Sequence, residues 1–491
     1  MEKIYLKKLR DSVDKKYVGF KPNGASIKPV HIASGAARVI YGRSADTSGI
    51  KRLSYVANAK GKTPPANTLD TVLNYLKNKD AIESEDIRPD ELASFRNLLQ
   101  KLLAADDGVF SGTDDGMVSY SAGSKYFITR FAMYEDAGEF VGGVIKDYCP
   151  ELAVHICELL EDDNDPISVL FTPVLSNEPD RLYVEHRHSE IGAFIKQSVA
   201  LKVYINGIKE SGECLLAHLK CHPNPLTQLR LFNFLCIFSL VRYLALLEAF
   251  YCEESIRPIL LDFSGDSQSS VARASVMSYT QIHRAISRFY AWGYAQELIS
   301  FTKEELLASE TPEYEQNKKS KTGEMELARM WELAKSDATS VEDEETVHLI
   351  FGTTIYDMLA LEASSHPVNY LRAIGTLSGI LYPPTSFHVN KRFALSQDVL
   401  EMVIRSCVAP SEVISGAELR ERLWERMGII VGGSDFEMRK LHEAGSIIQA
   451  DTDSLNYNFE CFANTLELMN FAEIMADGIL QIRLGGVANE N

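Results

Sequence analysis

The 491-residue chain has little that marks a dedicated chemistry. No G-x-x-x-x-G-K-[ST] phosphate loop and no G-x-S-x-G nucleophile elbow occurs in it, which excludes the P-loop and α/β-hydrolase routes. Eight cysteines are present and no two have C-x-x-C spacing. Redox dithiol motifs and zinc ribbons are therefore out, and reduced thiols are expected. Cys157 and Cys236 fall in apolar helical sequence, where a thiol packs as a small hydrophobe. Met1 leads into "EKIYLKKLR", which has no apolar run of secretory type, so a cytoplasmic location is expected. The longest uncharged apolar stretch, "LFNFLCIFSLV" between Arg230 and Arg242, has eleven residues. A bilayer needs roughly 20, so this stretch predicts a buried core helix and no membrane partner. No repeat of fixed period is visible.

Hydrophobic residues make up 45% of the chain, enough for several cores. Helical periodicity dominates. "PDELASFRNLLQKLLAA" places Leu92, Phe95, Leu98, Leu99, Leu102 and Leu103 on one face, and Leu226 to Tyr251 is apolar nearly all round, as the centre of a bundle should be. The expected organisation is a basic segment of loops and short strands over 1–65, in which "SGAAR" and "GRSADTSG" read as small-residue turns, a helical domain over 66–165 and a central helical core over 166–305. A polar and acidic linker over 306–345, a helical segment over 346–394 and a C-terminal unit over 395–491 complete it.

Charge is unevenly spread. The net charge is −18, yet residues 1–62 hold fourteen Lys and Arg against four Asp and Glu, leaving −28 on the other 429 residues. Lys7, Lys8, Arg10, Lys15, Lys16, Lys51 and Arg52 are interleaved with Tyr5, Tyr17, Phe20, Tyr41 and Tyr55. Cations neutralise phosphates and rings stack on bases, so this segment is the candidate nucleic-acid contact. The competing expectation is that it docks on the acidic body of its own chain or on an acidic partner.

Three clusters invite a chemical reading. His186 and His188 in "EHRHSE" would share a strand face and reach one metal, but no third ligand stands at motif spacing. Cys214, His218, Cys221 and His222 in "CLLAHLKCH" lie along a single helix, which cannot wrap one ion tetrahedrally. Asp262, Asp266 and Ser267 in "LLDFSGDSQSS" sit between a short buried strand and a helix N-terminus. A serine-rich cap explains that composition as well as catalysis does. Neither a resident metal nor a cofactor is expected.

The C-terminal unit carries two helix-start signatures, Ser415 with Glu418 and Ser434 with Glu437. "LSQDVLEMVIRSCV" precedes them as a first helix, Gly428 should stop the second, and "SIIQA", "DTDS" and "LNYNF" read as a hairpin over 446–459. This order resembles a winged-helix domain. The resemblance implies a third helix, "SDFEMRKLHEAG", that presents Arg439, Lys440 and His442 as the recognition surface, with the hairpin as the wing. Asp435, Glu437, Glu443, Asp451 and Asp453 make that surface near neutral to acidic, which favours protein docking over phosphate reading. The resulting fold class is mostly α, multidomain, with a small α+β N-terminal region and a C-terminal winged helix. The leading functional expectation is a non-catalytic subunit of a cytosolic multi-protein complex acting on nucleic acid; a bacterial DNA-processing or anti-phage defence system would fit. A transcription regulator reading DNA through the winged helix and an enzyme using the Asp262–Ser270 loop are the alternatives.

Overall fold

The structure is a computed structural model that describes residues 3–22, 29–44, 94, 135–161, 181–182, 198–252, 255–315, 323–361, 367–385, 390–445, 450–476 and 478–484. The helical pattern expected at 92–103 lies outside the described residues, Ser94 apart.

The described residues of the N-terminal segment, 3–22 and 29–44, are mostly helical, which corrects their reading as loops and short strands. Helix α1 (Leu6–Val13) runs into a π-helical turn, Asp14–Val18, that ends on Gly19 at φ 86°. Helix α2 spans Pro29–Tyr41, and the two-residue strand β1 (Arg43–Ser44) follows it. Pro29 starts the helix, where a missing N–H is harmless. The small residues of "SGAAR" form a helix interface instead of turns. A Cβ on Gly35 would lie 2.9 Å from Gly138 Cα, and one on Gly142 would lie 2.7 Å from Ala36 Cα. Gly138 and Gly142 belong to α3 (Glu135–Tyr148), so α2 and α3 touch backbone to backbone. Arg38 and Glu139, 1% and 5% exposed, close that interface as an ion pair at 2.6 Å.

Helix α4 (Pro150–Glu161) follows, and the two-residue strand β2 (Arg181–Leu182) pairs antiparallel with β1. Helices α5 (Val199–Cys221) and α6 (Pro225–Tyr251) form the centre. The Asn224 side chain accepts from Leu226 N to start α6. Helix α6 is long and apolar enough to cross a membrane, and 94% of its apolar window is buried inside the protein. After strand β3 (Ile259–Leu260) comes α7 (Ser270–Leu298), then α8 (Lys303–Ala308), α9 (Glu324–Thr339), α10 (Glu344–Leu361) and α11 (Pro367–Leu377). The stretch expected as a linker thus contains helix α9. Its Trp331 is fully buried, donates from Nε1 to Ser309 Oγ at 3.1 Å and packs on Phe351. Gly352 lets α10 approach α7, since a Cβ there would lie 2.3 Å from Ala291 O.

Strands β4 (Leu381–Tyr382) and β5 (Arg392–Phe393) form an antiparallel pair. The remaining elements are α12 (Gln397–Arg405), β6 (Val413–Ser415), α13 (Gly416–Arg422) with a π-helical turn to Met427, β7 (Ile429–Ile430), α14 (Asp435–Glu443), α15 (Thr452–Leu468), β8 (Ala472–Ile474) and β9 (Leu480–Arg483). Ser415 Oγ accepts from Glu418 N at 3.1 Å, and Ser434 with Glu437 completes a reciprocal capping box. Gly428 ends the second helix at φ 66°. The hairpin expected over 446–459 is not where the sequence pattern put it. Residues 446–449 lie outside the described residues, and 455–459 belong to α15, which Asp451 caps by accepting from Ser454 N at 2.7 Å. The hairpin is β8–β9, and with β6 it makes an antiparallel sheet in the order β6, β9, β8.

The C-terminal elements are woven into the rest. Strand β7 pairs in parallel with β3, and Leu261 bridges to Phe393. The Arg242 guanidinium of α6 packs on Gly428, where a Cβ would meet its Nη1 at 1.5 Å. Arg230 of α6 pairs with Asp398 and Glu401 of α12 at 3.3 and 3.4 Å. One hydrophobic cluster runs from Ile4 to Leu484.

Candidate functional site

The basic N-terminal segment is fastened to acidic side chains of its own chain. Tyr5 and Glu313 form a parallel bridge, and Leu6 N donates to Glu313 O at 2.8 Å. Lys3 pairs with Glu313 at 2.6 Å, Lys7 with Glu315 and Lys16 with Glu297 at 2.8 Å. Those hydrogen bonds raise the pKa of each lysine, against the lowering effect of desolvation. Arg10 is buried beside Asp14. Lys8 and Lys15 remain exposed, Lys8 lying over the Tyr5 ring. Lys51 and Arg52 lie outside the described residues.

The Asp262 loop is a structural knot. Asp262 is buried; its carboxylate meets Arg392 at 2.7 Å and accepts from Ser264 N and Oγ at 3.0 and 2.6 Å. Ser264 Oγ also meets Ser269 Oγ at 2.8 Å, and Ser269 caps α7 by accepting from Ala272 N. Asn458 pins the strand end, donating to Leu261 O and Val431 O and accepting from Phe263 N. Asp266 accepts from Gln268 N, and Ser267 is exposed. His283 lies along α7, roughly 20 Å from its N-terminus at 1.5 Å per residue, too far to serve as a base for this loop.

His186 and His188 lie outside the described residues, and among the described residues no group of His, Cys, Asp and Glu is arranged to hold a metal. His218 is buried; its Nε2 donates to Val408 O at 2.7 Å and its Nδ1 faces Arg405 at 3.2 Å. Burial pushes its pKa down to about 4, so it is neutral and committed to packing α5 against the end of α12.

On α14, Lys440 pairs with Glu443 at 2.8 Å, Arg439 donates to Asp435 O and His442 is exposed. Glu437 is only 1% exposed and accepts from Val431, Gly432 and Ser434 N–H groups. It is a structural acceptor and takes no part in a recognition surface. Trp424, Glu425 and Lys440 face Val203, Asn206 and Glu210 of α5 across a cleft of about 520 Å³.

The surface that the sequence pattern missed is on α15 and the β8–β9 hairpin. Tyr457 and Leu468 are 58% and 86% exposed, and Ile474, Met475 and Ile479 at the hairpin tip are 42%, 38% and 53% exposed. Ile474 N donates to Glu467 Oε1 at 2.9 Å, which fixes the tip beside the end of α15 where Leu468 stands. Met475 N donates to Ile479 O and Gly478 N to Met475 O, closing the turn. Helix α15 carries no Lys or Arg. The signal lay in "AEIMADGILQIR", where Asp-Gly between apolar runs marks a hairpin. Exposed apolar side chains gathered at one tip lower their free energy by meeting another apolar surface.

Comparison of the chain with family models, with curated proteins and with solved structures gives no match.

Proposed function

We propose that this chain is a non-catalytic subunit of a multi-protein assembly that acts on nucleic acid, and that its C-terminal unit docks a protein partner. The carrying observation is the apolar tip formed by Leu468, Ile474, Met475 and Ile479 beside a helix without a cation. The order α12, β6, α13, α14, α15 and then a hairpin returning to β6 supports a winged-helix likeness. In that likeness α15 takes the place of the third helix and β8–β9 that of the wing. A phosphate-reading winged helix needs several spare cations on those two elements; here α15 has none and the described residues of the hairpin offer the single Arg483 beside exposed apolar and acidic side chains, so protein is the better-fitting ligand. A bacterial DNA-processing or anti-phage defence complex would be a natural setting.

Changing both Leu468 and Ile479 to Asp is expected to abolish co-purification of the native partner from extract while leaving the melting temperature within about a degree, since exposed substitutions rarely move stability. Retention of the partner by that variant would defeat the docking reading. Tight duplex-DNA binding by the full chain, lost on changing Arg439 and Lys440 to Ala, would give the site to a DNA-reading regulator instead.

The nucleic-acid part of the proposal rests on Lys8 and Lys15, which have no ion-pair partner among the described residues. Lys8→Glu with Lys15→Glu is expected to weaken binding of duplex or single-stranded nucleic acid and to flatten its salt dependence by about two phosphate contacts. Reversal at Lys7 and Lys16 would set like charges against Glu315 and Glu297 and confound binding with stability. An unchanged salt slope for the Lys8 and Lys15 variant would remove this segment from nucleic-acid contact.

A further inference from the structure

Helices α9 and α10 form an antiparallel hairpin whose inner side packs on the body through Trp331, Phe351 and Ile355. Its outer side carries a groove of about 430 Å³. Met330 and Leu333 line it from α9, Leu349 and Ile350 from α10. The 3- and 4-residue steps keep each stripe on one helix face. Leu333 is 62% and Leu349 45% exposed, so none of the described residues covers this apolar surface. The threonines of the groove add to its apolar character. Thr353 Oγ1 donates to Leu349 O and Thr354 Oγ1 to Ile350 O, so both hydroxyls are spent within α10.

The two ends of the groove are acidic. Asp337 lines it beside the α9–α10 turn and Asp357 at the far end of α10. Neither carboxylate has an ion-pair partner among the described residues. Burial, with no cation to offset it, pushes the Asp357 carboxyl up. Over residues 324–361 there are nine Asp and Glu against two Lys and Arg, and both cations, Arg329 and Lys335, are already paired with Glu326 and Glu332. An apolar floor with unpaired carboxylates at both ends fits one shape of ligand, a helix with an apolar stripe and a cation at each end.

We propose that the α9–α10 groove docks a basic amphipathic helix of a partner protein, seating that helix's apolar stripe on Leu333, Leu349 and Ile350 and placing Lys or Arg against Asp337 and Asp357. Thr346 and Asp357 mark the two ends of the α10 stripe, roughly 16 Å apart at 1.5 Å per residue, so the two cations of the ligand stand about three turns apart. The surface is separate from the hairpin tip of α15 and β8–β9 and does not depend on the function proposed for it.

The test uses the full chain and a labelled peptide of roughly 15 residues, with Leu at helical spacing and one Lys near each end about three turns apart. A twin peptide carries Glu in place of the two Lys. Fluorescence anisotropy is expected to show saturable binding of the Lys peptide and at least tenfold weaker binding of the Glu twin. Leu333→Glu or Leu349→Glu is expected to weaken the Lys peptide about tenfold or more, although each adds a negative charge. Loose attraction of a basic peptide to an acidic protein predicts the opposite, equal or tighter binding to those variants, and that outcome overturns the proposal. Failure of the peptide to bind overturns it too. A full chain that sediments as a dimer and becomes monomeric on Leu349→Glu assigns the groove to a second copy, and likewise overturns it. Both leucines are exposed, and a melting temperature matching the parent shows that the variants fold.

Discussion

Asp14→Asn is expected to flatten the stability of this chain against pH between about 4 and 7. Asp14 is buried in the π-helical turn after α1, where Tyr290 Oη donates to Oδ1 at 3.0 Å and Arg10, Asp11, Lys21 and Tyr294 are its charged and titrating neighbours. Burial outweighs the Arg10 charge and the Tyr290 hydrogen bond, and pushes the carboxyl from its ordinary 3.8 up to about 7. The folded chain therefore holds a proton on Asp14 that the unfolded chain releases. Its contribution to stability is complete below about pH 3.8 and is lost as pH rises through 7. The loss approaches about 4 kcal/mol at one pKa unit per 1.36 kcal/mol, and water entering the site would lower it to about 2. Asparagine is neutral at every pH and its oxygen still accepts from Tyr290. Denaturant unfolding at pH 5 and pH 8 for parent and variant checks this. The parent should lose more stability between the two pH values than the variant, and parallel losses would show that Asp14 is ionised in the fold.

A chain ending at residue 394 is expected not to fold cooperatively. Removal of 395–491 takes β7 from β3, α12 from α6 and Gly428 from the Arg242 guanidinium. Arg242 is otherwise buried, and removal of that cover wets the charge and the flank of α6 together. Val399, Leu400, Val403 and Ile404 of α12 are all buried against the shared core, and at about 1.5–3 kcal/mol for each large apolar side chain their loss equals a domain's whole margin of stability. Circular dichroism on heating should show a broad, shallow change where the full chain shows a sharp one. A sharp transition in the truncated chain would mean that residues 1–394 form an independent unit. Docking at the C-terminal unit is for this reason better tested by surface substitutions than by excision.

The sequence pattern made much of this architecture legible. The apolar helix over 226–251, the caps at Ser415 and Ser434 and the stop at Gly428 follow from local rules that act within one or two turns. The misreadings have a common cause. "SGAAR" looks like a turn because small residues permit one; here the same residues permit two helices to touch, and that depends on Gly138 and Gly142 about a hundred positions away. "LNYNF" alternates like a strand only if the window stops at Phe459. Extended to Leu466 it shows Leu455, Phe462, Ala463 and Leu466 at helical steps. Asp262 looked like a site because a polar loop at a strand end often is one; that its carboxylate is spent on Arg392 and Ser264 is a fact of tertiary contact. The apolar hairpin tip was written in the Asp-Gly turn of "MADGI", past the point where the third helix and wing had already been assigned.

The parallel pairing of β3 with β7 joins Ile259 to Ile429, and this makes completion of the β3 edge wait for the synthesis of a segment about 170 positions further along. Until Ile429 leaves the ribosome, β3 has no partner on that edge and the side of α6 that Gly428 and α12 cover stays open. At about 5–20 residues per second, that interval lasts roughly 10–30 s. For that time the apolar central helix α6 is available to chaperones or to a neighbouring nascent chain, and a ribosome that stalls between the two strands leaves a product with the same open flank.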